Sequence, residues 1–135
     1  MRFSKEKVIQ LHQLVMNQSG GLNGVRDMDL LDSALSAVYQ TFDGQELYPT
    51  IEEKAARLGY NLISNHAFID GNKRIGVLVM LTFLELNGIQ IKCNNKELVE
   101  LGFKIAEGIM KYNTILDWVN NHKVYKKKND DSLAK

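Results

Sequence analysis

Residues 75–86 read IGVLVMLTFLEL, and the run Ile75–Leu81 within them is the longest apolar run of the chain. A membrane-spanning helix needs about 20 apolar residues. This stretch is too short for that role, contains an acidic residue and is preceded by two cations. A helix that is apolar on nearly all sides must have neighbours around it. The stretch therefore predicts a buried central helix that begins near Gly71 and ends at Asn87-Gly88.

Five further helices are predicted around this one. Two of them begin with a capping box, in which an N-cap side chain and a glutamate three residues later satisfy each other's backbone N–H groups. All five carry apolar residues at helical spacing, so we predict an all-α bundle around the buried central helix. The five helices begin near Ser4, at Asp27 or Asp29, at Thr50, at Asn94 and at Thr114.

The apolar stripes of two of these helices predict which side chains face the core. In the first helix the stripe consists of Val8, Leu11, Leu14 and Val15. In the helix that begins at Thr50 the stripe starts at Ile51 and runs to His66. His66 is therefore predicted to end this helix on its inward face.

One segment has the sequence pattern of a β-hairpin rather than of a helix. The dipeptide Asp43-Gly44 is typical of tight hairpin turns. Thr41 and Phe42 precede it, and a second short run follows that can pair with them. We predict a small β-hairpin, or flap, within residues 39–49.

The composition limits the classes of protein to which this chain can belong. Charged residues make up 24% of the chain and the net charge is +1, so any attraction for phosphate must be local. The single cysteine, Cys93, excludes an internal disulfide and a Cys-rich zinc site, and it suits a reducing cytosol. The first residues lack the apolar core of a secretory signal. We therefore expect a cytoplasmic protein without direct nucleic-acid or membrane partners.

The C-terminal residues differ in composition from the rest. From Lys123 the sequence reads KVYKKKNDDSLAK, which predicts a solvated, mobile tail. Its lysines are interrupted by Asp130 and Asp131, so a nucleic-acid-binding arm is the weaker interpretation. No linker or repeat divides the remainder. Residues 1–122 are predicted to form one domain, and residues 123–135 its tail.

Residues 66–74, HAFIDGNKR, connect two predicted helices and carry the candidate chemistry. A helix that begins at Gly71 presents unpaired backbone N–H groups and the positive end of its dipole, which together attract an anion. The glycine allows a ligand to approach the backbone closely. Lys73 and Arg74 oppose the dipole in the first turn, so a helix that accepts this cost is expected to bind an anion.

Two further side chains of the loop complete a reactive set. Asp70 lies one residue before the helix, and a carboxylate beside a phosphate-sized anion usually holds a divalent metal ion. His66 is of the residue type that most often serves as a general base. Base, metal-binding carboxylate and anion site together indicate phosphoryl or nucleotidyl transfer. Phe68 is predicted to anchor the loop in the core.

Each of these residues alone has a structural explanation. A histidine at a helix C-terminus complements the dipole, Asp70 alone would be an N-cap, and the two cations alone would form a solvated surface. Their combination within nine residues favours the active-site interpretation. A zinc site from His66 and Asp70 would need further ligands, and neither His12 nor His122 is obviously near.

The stretch HAFIDGNKR resembles the signature of the Fic/Doc superfamily, and more narrowly that of the death-on-curing (Doc) toxins. The Fic form reads His-Pro-Phe-x-Asp/Glu-Gly-Asn-Gly-Arg-x-x-Arg, whereas the Doc form has lysine at the second glycine and lacks the last arginine. Lys73 and Val77 stand at these two positions. The resemblance covers about residues 1–118 and includes GGLNGVRDMDLLDSAL, TFDGQELYPTIEEKAA and LTFLELNG.

The resemblance implies an all-helical Fic fold and a transferase that uses ATP and Mg²⁺. Fic enzymes usually transfer AMP to a hydroxyl side chain, whereas Doc toxins resemble kinases. They bind ATP inverted and phosphorylate a threonine of elongation factor Tu, which arrests translation. The departures at Lys73 and Val77 favour a Doc-type Ser/Thr kinase, the toxin of a type II toxin–antitoxin system. An AMP transferase and a non-catalytic Fic-fold binding module are the alternatives.

The resemblance also implies a role for each residue of the loop. His66 would take the proton from the target hydroxyl, and Asp70 would hold Mg²⁺. Lys73 is also predicted to be a catalytic residue. The backbone amides from Gly71 to Lys73 and three side chains would bind the phosphates: Asn72, Lys73 and Arg74.

Two regions outside the loop are assigned less directly. Arg26 is a further candidate for the nucleotide, and a structural pairing of Arg26 with an aspartate is the alternative. The flap is expected to align the target segment, which would add main-chain hydrogen bonds to the hairpin edge. Its candidate target-binding residues are Thr41, Phe42, Asp43 and Gly44.

Regulation by a separate antitoxin is also implied. Many Fic proteins restrain themselves with a helix of the form Ser/Thr-x-x-x-Glu-Gly/Asn. Glu107-Gly108 comes closest to this form here, but Phe103 stands where Ser or Thr is needed. The resemblance thus implies a Phd-like antitoxin whose disordered tail folds onto a groove near the active loop.

Overall fold

The computed structural model describes residues 2–125 of the 135-residue chain. Within this range it contains six α-helices and two small two-stranded sheets, which confirms the predicted all-α class. The helices are α1 (Lys5–Ser19), α2 (Met28–Ser36), α3 (Ile51–Ser64), α4 (Asn72–Leu86), α5 (Asn95–Ala106) and α6 (Tyr112–His122). The strands are β1 (Thr41–Phe42), β2 (Gln45–Glu46), β3 (Ile89–Ile91) and β4 (Lys123–Tyr125).

Helix α4 lies at the centre of the bundle, where α1, α3, α5 and β3 contact it. Ile75, Val79 and Met80 are completely buried on its inner sides. Gly76 allows α3 to pack closely, because a Cβ there would lie only 2.4 Å from Ile63 Cγ1. The prediction that α4 is surrounded holds for most of its circumference, but the side that carries Val77 is only half-buried.

No helix within residues 2–125 has both the length and the apolar character needed to cross a lipid bilayer. Helix α4, the most apolar candidate in the sequence, is 15 residues long. At 1.5 Å per residue it spans about 22 Å, which is shorter than the hydrocarbon core of roughly 30 Å.

Side-chain caps explain where most of the helices begin. The two predicted capping boxes are formed: Thr50 with Glu53 at the start of α3, and Asn94 with Glu97 at the start of α5. Asp27, rather than Asp29, caps α2.

The predicted start of the last helix at Thr114 is wrong. Helix α6 begins two residues earlier, at Tyr112. The Thr114 hydroxyl oxygen accepts a hydrogen bond of 2.9 Å from the backbone N–H of Lys111, so it closes the cap from inside the first turn. A threonine can serve a helix start from either position, and the sequence alone does not distinguish them.

The flap is confirmed as a small antiparallel hairpin. Strand β1 pairs with β2, with Phe42 opposite Gln45. The turn residues Asp43 and Gly44 both have positive φ angles, of 54° and 79°. A two-residue turn with this backbone matches the natural twist of a hairpin, and Asp-Gly is a preferred sequence for it.

Strand β4 corrects the predicted domain boundary at residue 122. Lys123–Tyr125 pair antiparallel with Ile89–Ile91, and Lys123 Nζ lies 2.6 Å from Glu52 Oε2. The lysine-rich composition suggested a tail because the strand and the carboxylate that hold this segment are distant in sequence. The domain therefore includes Tyr125. The mobile tail predicted for residues 126–135 lies outside the described residues.

Helix α1 buries part of the predicted stripe and two residues outside it. His12 and Met16 are each 1% exposed, together with the fully buried Val8. Leu14, which was predicted to face the core, is 59% exposed. His12 faces inward because the Asp70 carbonyl, in the loop before α4, gives its ring a hydrogen-bond partner, which a hydrophobic pattern alone does not reveal.

Candidate active site

The loop 65–71 between α3 and α4 begins with a reversal of the backbone at His66. Helix α3 ends at Ser64, and His66 has a φ of +51°, in the left-handed region that a residue with a side chain rarely adopts. The prediction that His66 ends α3 on its inward face is therefore wrong. The reversal turns the side chain to the surface and lets Ala67 and Phe68 enter the core instead.

Phe68 and Asn72 hold the loop together. Phe68 is 1% exposed. The Asn72 side chain accepts a hydrogen bond from the Phe68 N–H and donates one to the Phe68 carbonyl, both 3.0 Å long. The Asn72 amide thus shapes the loop that precedes α4, a task different from the phosphate contact predicted for it. That contact stays a prediction.

Arg26 supports the loop from the side of the chain that precedes α2. Its Nε donates to the His66 carbonyl at 2.7 Å, and a terminal nitrogen donates to the Asn65 carbonyl at 3.2 Å. The backbone adds a bond of 2.8 Å from the Arg26 N–H to the Ala67 carbonyl. The guanidinium thereby satisfies carbonyls beyond the end of α3 rather than an aspartate. Its predicted contact with the nucleotide remains untested.

Helix α4 begins without a side-chain cap, in contrast to α2, α3 and α5. Its N-cap residue is Gly71, with a φ of +77°, and no side chain accepts from the first-turn N–H groups. Those N–H groups and the helix dipole form a local positive site. Lys73 and Arg74 are exposed in the same turn and add two charges. Arg74 also donates to the Ser19 hydroxyl at the end of α1.

The Asp70 carboxylate is held by two backbone N–H groups. Oδ2 accepts from Leu22 at 3.1 Å and Oδ1 from Gly71 at 2.8 Å. These two bonds, in that order, hold the pKa of the Asp70 carboxyl below its ordinary value, and the nearby Arg74 adds to the effect. Asp70 is therefore ionised at neutral pH, beside the positive end of α4.

This arrangement fits a Mg²⁺ ion that is shared with a phosphate ligand. Mg²⁺ is usually bound by one or two carboxylates together with substrate phosphates and water. Asp70 supplies one ionised carboxylate beside an anion site. Within residues 2–125 there is no cluster of three or more His, Cys, Asp or Glu residues that could form an all-protein metal site.

The loop residues face one surface cavity of about 580 Å³. His66 and residues 70–74 line one side of it, and Ala106 and Glu107 at the end of α5 line the other. The structure thus brings the predicted base, carboxylate and cations together. Among the described residues that line this cavity there are none from the flap.

Sequence reasoning overlooked three residues around Asp70. His12 was set aside as distant, yet its Nε2 lies 2.7 Å from the Asp70 carbonyl oxygen. The Leu22 N–H binds the carboxylate, and Gly21 leaves the room for it, since a Cβ there would lie 2.9 Å from Oδ2. The glycine pair at residues 20–21 was a visible signal, but its partner in the fold was not.

A comparison with protein families agrees with this geometry. The model of the Fic/DOC family matches residues 2–84, more than half of the chain. The chain belongs to the Fic/Doc family. The matched residues include all of HAFIDGNKR, and with it the loop and the uncapped start of α4.

Two relatives narrow the comparison within the Fic/Doc family. The chain is 44% identical over 72 residues to a protein of Mycolicibacterium smegmatis named Toxin Doc, a match that covers 53% of this chain and 55% of that protein. It is 29% identical over 114 residues to the Protein kinase doc of Escherichia phage P1, covering 84% and 89% of the two chains. The chain thus matches little more than half the length of the first relative and most of the second.

Proposed function

We propose that this protein is the toxin of a toxin–antitoxin pair and acts as a Doc-type protein kinase. It would transfer the γ-phosphate of ATP to a Ser or Thr hydroxyl of a translation factor, with elongation factor Tu as the expected target. The observation that carries this proposal is the ionised Asp70 beside the uncapped, doubly cationic start of α4, with His66 on the same cavity. Two relatives named as a toxin and a protein kinase support it.

The residues of the cavity divide the reaction between them. The first-turn N–H groups of α4, with Lys73 and Arg74, bind the phosphate oxygens and offset their charge. Asp70 holds Mg²⁺, which when bound neutralises charge on the phosphates. His66 takes the proton of the target hydroxyl as its oxygen bonds to phosphorus. The bond from phosphorus to the bridging oxygen breaks, and ADP leaves.

Kinase chemistry is favoured over AMP transfer by two positions of the signature. Lys73 replaces a glycine and Val77 replaces the last arginine of the Fic form. Val77 is half-buried against α5 and carries no charge. Helix α4 therefore lacks the second guanidinium that the Fic form has three residues after Arg74. An AMP transferase would lose at position 77 a cation that helps to hold the phosphates of ATP. AMP transfer remains the second candidate because the other positions of the signature, apart from Ala67 at its proline, match the Fic form.

The direct test is intact-mass measurement of elongation factor Tu after incubation with this protein, ATP and Mg²⁺. We expect one phosphate to be added, and none with His66→Ala. The exposed position of His66 makes that substitution a mild one for folding. An AMP-sized increment would support the second candidate instead. If His66→Ala left the modification unchanged, His66 would not be the base.

We propose that the expected antitoxin binds in a groove beside the cavity. The groove lies between α4 and α5, has a volume of about 290 Å³ and is almost entirely apolar. Val99, on its rim, is 72% exposed, and Lys73 and Arg74 line both the groove and the active-site cavity. A Phd-like tail that folded into this groove would cover the phosphate-binding side chains. It would thereby combine binding with inhibition.

Charge substitutions distinguish this groove from the rest of the surface. Val99→Asp is expected to leave toxicity intact but weaken neutralisation by a co-expressed antitoxin at least about tenfold, because a carboxylate would be buried against apolar side chains. Leu86→Asp is the matched control, since Leu86 is 50% exposed and does not line the groove. Equal neutralisation of both variants and the unaltered toxin would place the antitoxin elsewhere.

A further inference from the structure

His12 of α1 is buried although the proposed reaction does not use it. Its side chain is 1% exposed, and its ring stacks on Phe68 with the centroids 3.9 Å apart and the planes 12° from parallel. An apolar side chain could satisfy that packing. The polar edge of the imidazole has a separate task, because Nε2 lies 2.7 Å from the backbone oxygen of Asp70.

The identity of the acceptor determines the direction of this hydrogen bond. A carbonyl oxygen only accepts, so Nε2 carries a hydrogen and donates it. The oxygen belongs to the peptide group that joins Asp70 to Gly71. His12 thus holds one side of this peptide, and the Gly71 N–H on its other side donates to the Asp70 carboxylate at 2.8 Å.

The neighbouring turn of α1 leaves the peptide little room to move. Met16 lies four residues after His12, on the same side of the helix. A Cβ on Gly71 would come within 2.3 Å of Met16 Cε and 3.6 Å of His12 Nε2. The two side chains therefore fit directly against the backbone at Gly71. This fit requires both the glycine and its φ of +77°.

We propose that His12 is a positioning residue that sets the direction of the Asp70 carboxylate. Its Nε2–H fixes the peptide between Asp70 and Gly71, and this peptide determines both where the carboxylate points and how α4 begins. The proposal rests on the proposed function only in giving the carboxylate a metal to hold. Partners that orient metal-binding groups in this way typically change metal affinity or activity by about 10–100-fold when they are removed.

Two substitutions at position 12 separate the hydrogen bond from the packing. In His12→Gln the amide nitrogen keeps an N–H donor at a similar distance from the backbone, whereas His12→Leu keeps apolar bulk without a donor. Val8→Ala is the control, since it removes buried apolar volume from the same helix, one turn before His12, and takes away no side-chain hydrogen-bonding group. All variants are compared well below their melting temperatures.

The first readout is the Mg²⁺ concentration that half-saturates ATP binding, measured by calorimetric titration. We expect it to rise at least about tenfold in His12→Leu, to return most of the way in His12→Gln, and to stay unchanged in Val8→Ala. Kinase activity should follow the same order, with the larger effect in kcat at saturating ATP. Equal losses in His12→Gln and His12→Leu, or a loss in Val8→Ala of the same size, would reduce His12 to a packing residue and overturn the proposal.

The second readout does not depend on activity. In the unaltered protein, nitrogen-15 spectra of the imidazole should show a proton on Nε2 of His12. The Gly71 amide signal should shift in His12→Leu and recover in His12→Gln. These signals test His12 even if no phosphate is transferred to any target, in which case only the proposed function fails. An Nε2 of His12 without a proton, or a Gly71 amide signal that does not change in His12→Leu, would refute the role of His12.

Discussion

At the scale of single residues, Gly21 shows how closely the chain is packed around Asp70. A Cβ at this position would lie 2.3 Å from Met16 Sδ and 2.9 Å from Asp70 Oδ2. Neither distance is compatible with ordinary contacts, so any side chain would displace the carboxylate or the methionine. The preceding Gly20 ends α1 with a φ of +82° and has nothing within 4 Å of its would-be Cβ.

This contrast leads to a prediction about Gly21→Ala and Gly20→Ala. The second substitution should cost about 1 kcal/mol through its left-handed backbone and leave ATP and Mg²⁺ binding unchanged. The first should cost about 1–3 kcal/mol through overpacking and weaken Mg²⁺-dependent ATP binding as well. Thermal unfolding and calorimetric titration measure the two effects. Unchanged Mg²⁺-dependent ATP binding in Gly21→Ala would mean that this binding does not depend on the present position of the Asp70 carboxylate.

At the scale of the elements, the start of α4 differs from the starts of α3 and α5 in its capping. Helices α3 and α5 begin with reciprocal capping boxes. Helix α4 begins with a glycine and no side-chain acceptor. A capping carboxylate or hydroxyl at that start would stabilise the helix by about 1 kcal/mol. It would also occupy the N–H groups that the proposed phosphate needs.

The capping box of α5 predicts a pH dependence of stability. The backbone N–H of Asn94, and after it His122, holds the pKa of the Glu97 carboxyl below its ordinary value of 4.5. A lowered pKa means that the ionised glutamate stabilises the fold above the unfolded-state value, and that this contribution is lost as the pH falls through the folded-state value. Glu97→Gln should therefore lower the melting temperature at pH 7, and the difference should vanish in acid.

The matched control for this measurement is Glu100→Gln. Glu100 is exposed on the same helix, outside the capping box. Its substitution should leave the melting temperature nearly unchanged across the same pH range. A constant gap between Glu97→Gln and the unaltered protein, from neutral pH into acid, would show that the charge of Glu97 is not what stabilises the cap.

At the scale of the whole molecule, strand β4 ties the C-terminal part of the domain to its middle. It pairs with β3, which follows α4, and Lys123 reaches Glu52 in the first turn of α3 at 2.6 Å. Glu52 is only 9% exposed. The Tyr125 hydroxyl lies 3.3 Å from the same carboxylate oxygen. The end of the described chain therefore supplies the partners of a buried charge.

A chain that ends at His122 should be less stable than one that ends at Tyr125. The shorter chain loses the β3–β4 pairing and leaves Glu52 without its cation, which should cost about 1–3 kcal/mol. Chemical denaturation of the two chains measures the difference. The active-site loop lies elsewhere, so ATP binding should be similar in both while they are folded. Equal stability of the two chains would mean that β4 does not stabilise the domain.

Local sequence was sufficient for most of the helical architecture. The capping boxes, the Asp-Gly turn and the apolar stretch 75–86 specify their elements through contacts within a few residues. The nine residues HAFIDGNKR likewise place a carboxylate, a glycine and two cations at one helix start, whatever the rest of the fold does. For the same reason, the all-α class and the family could be predicted from the sequence.

What only the tertiary structure decided is how that helix start is held. The contact of His12 with Asp70 and the bond from Leu22 to Asp70 join residues that are distant in the chain, and so does the bond from Arg26 to the carbonyl of the left-handed His66. The strand pairing of residues 123–125 has the same character. Such contacts depend on which side of α1 packs against the loop and on which strand edge is free. A pattern of apolar and polar residues determines neither of these, because it contains the spacing of residues along the chain but not the identity of the residues that pack against them in the fold.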